Sequence, residues 1–310
     1  MYYTLYYLRY YVADLKIITG VDAMELSTID WTTMWKEACG NSPWKGLSSR
    51  ELWDKRAAKF NKRIDNVKTD GEKLDKDDYI YKMLARIETT PECTVLDIGC
   101  GPGTLAIPLA KKVKSITGLD ISSEMLKHLK ENADKDGISN IKYINCSWDD
   151  AVVGKDVEPH DIVVASRSLS PQDLKESMLK LASAAKKAVY FTLPVVHLPF
   201  DWEVYQVIGR IERKHPSYIY VFNTLYQMGI QANLEILNSK IRVKFSSVAE
   251  AMDDLQWRTT PFSDTEKEKM KKYLEIKFAE QKDSPVFRHE GFSKWALIWW
   301  KTEENRQFEF

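Results

Sequence analysis

At 310 residues, 44% hydrophobic and 29% charged, the chain carries enough apolar side chains for one substantial core with a smaller attachment, and it is too apolar to stay disordered. Its 45 basic and 45 acidic residues cancel, which removes the global positive field that draws proteins onto nucleic acid or anionic membranes and leaves only a local basic groove open. The four cysteines, Cys39, Cys93, Cys100 and Cys146, lack CxxC spacing, and no run of about eighteen apolar residues occurs, so a disulfide scaffold and a membrane span are both disfavoured and a reducing cytoplasm is expected.

Tyr2, Tyr3, Tyr6, Tyr7, Tyr10 and Tyr11 recur at helical spacing at the N-terminus. That helix either packs on its own core, touches another copy or closes as a lid, or lies upstream of a start at Met24. Ser27-Thr28-Ile29-Asp30 ahead of Trp31, Met34 and Trp35 reads as a capped amphipathic helix ending near Gly40-Asn41-Ser42-Pro43. Helices are predicted over 49–67 and 75–87. The pattern then alternates: strand 95–98, helix 105–112, strand 115–119, helix 122–133, strands 141–144 and 161–165, helix 171–185, strand 188–193. After Pro194 a helical stretch over 202–228, a strand at 234–237, helices at 247–255 and 264–281 and a last strand at 295–300 are expected.

Strands alternating with helices imply right-handed βαβ crossovers and a mainly parallel sheet. The expected fold is therefore α/β: a Rossmann-like, seven-stranded, mainly parallel sheet with an N-terminal helical extension and helical cap insertions. The expected division is 1–90 extension and cap, 91–195 core, and 196–310 cap insertion plus the last two strands. Trp31, Trp35, Trp44, Trp53, Trp202 and Trp257 fall in the cap and are either walls of a ligand cavity or ordinary core.

The segment Val95-Leu96-Asp97-Ile98-Gly99-Cys100-Gly101-Pro102-Gly103-Thr104 runs from a strand into a glycine-rich turn, where glycines permit positive φ and close approach of a ligand. A dinucleotide fingerprint needs glycine at Thr104, and a P-loop needs Gly-Lys-Ser/Thr, so both are excluded. The segment resembles motif I of the class I S-adenosylmethionine-dependent methyltransferases, small-molecule branch. The resemblance implies that Asp97, Gly99, Cys100, Gly101 and Gly103 hold the methionyl end of S-adenosylmethionine. It implies that Asp120 and Ile121, closing Gly118-Leu119-Asp120-Ile121-Ser122, hold the ribose, and that Ser147, Trp148 and Asp149 meet the adenine, with Ser147 in place of the usual acid. Trp148 stacks on adenine or caps the sheet edge. Ser166 completes the cofactor residues, with Phe60 on a helix similar to the family's "WD-x-x-A-x-x-aromatic" element, here Trp53-Asp54-Lys55-Arg56-Ala57-Ala58-Lys59-Phe60.

No Asn/Asp-Pro-Pro-aromatic motif follows the fourth strand, where Ser166-Arg167-Ser168-Leu169 stands. Arg167 contacts substrate, contacts the cofactor carboxylate, or forms a surface ion pair. His197, Arg167 and Tyr226 are the catalytic candidates, with Asp30, Asp201, Glu203 and His289 behind them; the histidines show no metal spacing. The leading expectation is methyl transfer to a small, partly apolar acceptor, leaving S-adenosylhomocysteine, with no nucleic-acid or membrane partner and a copy contact through the Tyr-rich helix as an option. The alternatives are an RNA or protein methyltransferase and a non-catalytic cofactor-binding regulator.

Overall fold

The computed structural model describes residues 29–40, 50–69, 78–169, 171, 173–196, 199–210, 216–258, 262–281 and 287–305. The tyrosine-rich segment, Trp44, His197 and His215 lie outside them. The elements are α1 (Trp31–Gly40), α2 (Arg50–Thr69), α3 (Tyr79–Arg86), β1 (Thr94–Ile98), α4 (Ala106–Ala110), β2 (Ser115–Asp120), α5 (Ser123–Lys135), β3 (Ile141–Asn145) and β4 (His160–Ser166). There follow α6 (Leu174–Ala184), β5 (Ala185–Val196), α7 (Pro199–Ile208), α8 (Tyr218–Gln227), β6 (Asn233–Phe245), α9 (Val248–Arg258), α10 (Asp264–Glu280) and β7 (Phe287–Lys301).

The sheet has seven strands in the order β3-β2-β1-β4-β5-β7-β6, parallel except for β7, which runs against both neighbours. This is the Rossmann-like α/β sheet expected from the alternation. Strand order reverses between β1 and β4, and open α/β sheets bind ligands outside the carboxyl ends at such a point.

Alternation along each strand sorts the core onto two faces. Val95, Ile116, Ile162, Val164, Ala188 and Tyr190 pack with Tyr79 and Met83 of α3 and with α4 and α5. Leu96, Ile98, Leu119, Val163, Val189, Phe191 and Trp300 pack with α6 and also with Trp35 of α1 and Val221 and Leu225 of α8. Trp35, expected in a cap, is buried there with its indole N–H donating to the Pro171 carbonyl at 2.7 Å. Trp31 lies 6.2 Å from the Tyr220 ring, joining α1 to α8. These rings fasten a helical layer to the sheet instead of lining a chamber.

The single helix expected over 202–228 is two helices. Gly209 at φ 74° ends α7, with Arg210 N–H bonded back to the Tyr205 carbonyl, and Ser217 after Pro216 caps α8 by accepting from Ile219 N–H. The larger departure is the length of β6 and β7. Their pairing runs from Asn233–Trp299 to Phe245–Phe287, whereas the pairing of β5 with β7 stops at Val196–Lys294. Ser239–Phe245 and Phe287–Ser293 therefore form a two-stranded ribbon projecting beyond the carboxyl edge, about 20 Å at ~3.3 Å per residue. Val204 and Ile208 of α7, Phe245 of the ribbon, Ala251 and Leu255 of α9, and Met270 and Leu274 of α10 form a third cluster there. Arg210 grips Glu266 at 2.6 and 2.8 Å beside the Ser263 capping box that starts α10, holding the Glu266 carboxyl down to about 2.

Candidate active site

The turn after β1 uses positive φ at Gly99 (65°), Gly101 (53°) and Gly103 (93°), and only two of these glycines are required by packing. A Cβ on Gly99 would stand 2.3 Å from Ser168 Cβ, and one on Gly103 2.3 Å from Leu129 Cδ1. At Gly101 it would meet nothing within 4 Å, so open space lies over that residue. The helix after the turn, expected over 105–112, is the five-residue α4, too short for its dipole to add much.

Around that space stand two buried carboxylates. Asp97 is 2% exposed, and its Oδ2 has no hydrogen-bond partner among the described residues. Burial, and then the charge of Asp120, lift its carboxyl to about 7, against the pull of the Ala106 N–H. Asp120 accepts from Gly101 N–H at 2.8 Å and Ser122 N–H at 2.9 Å; burial raises its carboxyl, opposed by those two bonds. Each engaged oxygen keeps a lone pair for a further donor. The Cys100 thiol is raised well above its ordinary value by burial and both carboxylates, which makes it inert. Asp54 on α2 accepts from Ser122 Oγ at 2.6 Å, tying α2 to the start of α5 above Asp120.

Ser166 and Thr192 are level on adjacent strands, on the face that carries Asp97. Tyr79 Oη lies 2.7 Å from each hydroxyl, and Arg167 N–H donates to Thr192 Oγ1 at 3.0 Å. Arg167 is the one non-glycine residue at positive φ among the described residues, 58°, a geometry costing about 1–2 kcal/mol. Its guanidinium stacks 4.3 Å from the Tyr79 ring centroid and 5.6 Å from that of Trp295. Tyr79, Thr192 and Trp295 were not candidates from the sequence. Each reads as ordinary core in its own element, and only the register of β4, β5 and β7 assembles them.

The remaining candidates are scattered. Ile121 and Phe60 are half-buried, Phe60 on α2. Ser147 Oγ accepts from Asp149 N–H, and Asp149 is exposed. Trp148 is buried in the second core face with Lys180 Nζ 4.7 Å over its ring, so one ring face is occupied, and its indole N–H has no partner among the described residues. Tyr226, 68% exposed, ends a helix that packs on the opposite sheet face from Tyr79, so the structure does not bring it to this cluster. Asp30 caps α1 through Thr33, and Glu203 accepts from Tyr273, so both are committed locally. The strand position of His289 lies on the projecting ribbon. Among the described residues no three His, Cys, Asp or Glu side chains are grouped to hold a metal, and no helix is long and apolar enough to cross a membrane. An open-faced glycine turn, an unpartnered buried carboxylate and a second acid on the next strand suit a ligand with an ammonium group and a ribose.

A family model described as "Methyltransferase domain" matches residues 89–276. The chain belongs to the methyltransferase family. The chain is 33% identical to an uncharacterized protein of Haemophilus influenzae over 252 residues that span 81% of this chain and 89% of that one. The RlmD 23S rRNA (uracil(1939)-C(5))-methyltransferase of Aliivibrio fischeri is 32% identical over 73 residues, 24% of this methyltransferase and 17% of RlmD. Among solved structures, a putative methyltransferase of Bacillus halodurans aligns at TM-score 0.49 and 14% identity, over 72% of this chain and 98% of that one.

Proposed function

We propose that this methyltransferase acts on a small, partly apolar molecule. The supporting observation is the ribbon, which mounts the α7, α9 and α10 cluster beyond the carboxyl edge, on the side where the glycine turn and the Tyr79 cluster open. A helical roof over an aromatic wall suits an acceptor held away from water. The RNA-modifying relatives match over a short segment and carry no argument about this chain's acceptor.

In this reading Asp97 receives the cofactor ammonium, the open face of Gly101 admits the methionyl chain, and Asp120 receives the ribose hydroxyls. Cys100, Gly99 and Gly103 shape the turn, Ser166 supports the methionyl end, and Ile121, Ser147, Trp148, Asp149 and Phe60 border the nucleoside. When bound, the cofactor would supply an electrophilic methyl on sulfur for transfer to an acceptor lone pair, with S-adenosylhomocysteine as the departing product. The protein's task is alignment and water exclusion. Tyr79, raised by burial and fixed by two hydroxyls, holds the wall and does not serve as a base.

The test has two parts. A hundredfold excess of S-adenosylhomocysteine over its dissociation constant should raise the melting temperature by about 4 °C, and NAD should not. Methyl-labelled S-adenosylmethionine is then incubated with the small-molecule ultrafiltrate and with the macromolecular fraction of a cell extract. Label confined to RNA or protein refutes the small-molecule acceptor; protection by NAD and none by S-adenosylhomocysteine refutes the cofactor assignment.

A further inference from the structure

We propose that Arg167 anchors an anionic oxygen group, a carboxylate or phosphate, on the methyl acceptor; this rests on the methyl-transfer reading above. The contrast with the other arginines is informative. Arg86 grips Glu235 at 2.6 and 2.8 Å, and Arg210 grips Glu266 in the same two-pronged way. The exposed guanidinium of Arg167 meets no carboxylate or carbonyl among the described residues, although it stands beside the hydroxyl cluster of Tyr79, Ser166 and Thr192.

It is nonetheless held in place. Tyr79 and Trp295, themselves 5.8 Å apart, both offer it their rings within cation–π reach, and neither ring competes for its N–H donors as a carboxylate would. The backbone beneath is kept left-handed by the bond from Arg167 N–H to Thr192 Oγ1. A fork of donors on an aromatic floor fits a planar or tetrahedral oxyanion attached to an apolar body.

Position assigns this group to the acceptor and not to the cofactor. The neighbouring Ser168 is the residue against Gly99, with its Oγ on the Ile98 carbonyl at 2.6 Å. The Arg167 side chain takes the opposite course, toward Tyr79 over β4 and β5 and toward Trp295 on β7. β7 lies three strands from β1, about 14 Å at ~4.8 Å per strand, on the side from which the ribbon rises. The guanidinium is thus held on the Tyr79 and Trp295 rings, toward β7 and not over Gly99.

The test uses the protein saturated with S-adenosylhomocysteine and titrated calorimetrically with benzoate, phenyl phosphate and the neutral benzamide. Benzoate or phenyl phosphate should bind at least about tenfold more tightly than benzamide, the better of the two identifying the oxyanion, and Arg167→Met should erase that preference while Arg167→Lys keeps part of it. The S-adenosylhomocysteine affinity of Arg167→Met should stay within about twofold of wild type. If Arg167→Met does not fold, Arg167→Gln carries the comparison. Three results would overturn the proposal: no preference for the anions in the wild type, a preference that survives in Arg167→Met, or a tenfold loss of S-adenosylhomocysteine affinity in that variant, which would hand the guanidinium to the cofactor carboxylate. Failure of the wild type to bind S-adenosylhomocysteine at all would refute the cofactor reading separately, and the same anion titration without nucleoside would still report on Arg167.

Discussion

Cofactor binding should weaken as the solution is acidified through neutrality, because the carboxylate assigned to the cofactor's ammonium is half protonated there. Asp97 rises from 3.8 to about 7 through burial and the nearby charge of Asp120, and its Oδ2 is unmatched. Only the ionised form attracts an ammonium. At about pH 7.5 roughly three quarters of Asp97 is ionised and at about pH 6 roughly one tenth, so S-adenosylhomocysteine affinity should fall about eightfold, ~1 kcal/mol, across that interval. The same shift has the opposite sign for the empty protein. Its folded state holds a proton that the unfolded chain gives up near 3.8, so this group's contribution to stability is full below that value and is lost as pH rises toward 7, with an upper bound of ~4 kcal/mol. Isothermal titration calorimetry in buffers of differing ionisation enthalpy reads both the affinity and the proton released on binding. Asp97→Asn should bind weakly at every pH with a flat profile, which ties the pH dependence to this carboxyl. Equal affinity at both pH values in the wild type, or an Asp97→Asn protein that binds as the wild type does, would refute the assignment.

The turn glycines should separate by what they face. Gly101→Ala should cost only the ~1–2 kcal/mol of its left-handed backbone yet lower S-adenosylhomocysteine affinity at least about tenfold, whereas Gly103→Ala, whose Cβ would strike Leu129 and Ile107, should lower urea-unfolding stability by ~2–4 kcal/mol. Unchanged affinity in Gly101→Ala would remove the cradle. Asp120→Ala should weaken S-adenosylhomocysteine by about 1–3 kcal/mol in calorimetry, and a variant that binds normally would move the ribose contact elsewhere. Asp54→Ala, which strips the acceptor from Ser122 Oγ, should lower urea-unfolding stability by ~1 kcal/mol; no change would mean that α2 is held without it.

The central sheet was legible because its strands are short apolar runs broken by glycine and by helical spacing, and Asp97, Gly101 and Asp120 lie where motif I and the next strand place them. Gly209 and the Pro216-Ser217 pair were visible breaks inside 202–228, outweighed by apolar periodicity. The extended strands were legible in part: Ile241, Val243 and Phe245 alternate with Lys240, Arg242 and Lys244, but charged residues on a ribbon outside the core mask a strand when hydrophobicity is the guide. Of the two readings of the tryptophans, Trp35 takes the core one, and ring count alone could not choose because it says nothing about direction. Tyr79, Thr192 and Trp295 come from elements over a hundred residues apart, so no local pattern could join them.

The strand that arrives last in the sequence is not at the sheet's margin. β7 inserts between β5 and β6, pairing with one along the core and with the other along the whole ribbon. During synthesis the chain through β6 must therefore persist with β5 as an open edge and with no mount for its helical roof, an arrangement prone to pairing with the wrong partner. Closure of the core and placement of the roof are then a single late event. The carboxyl edge of the sheet and the helices carried by the ribbon are completed together, and damage to β7 would forfeit both.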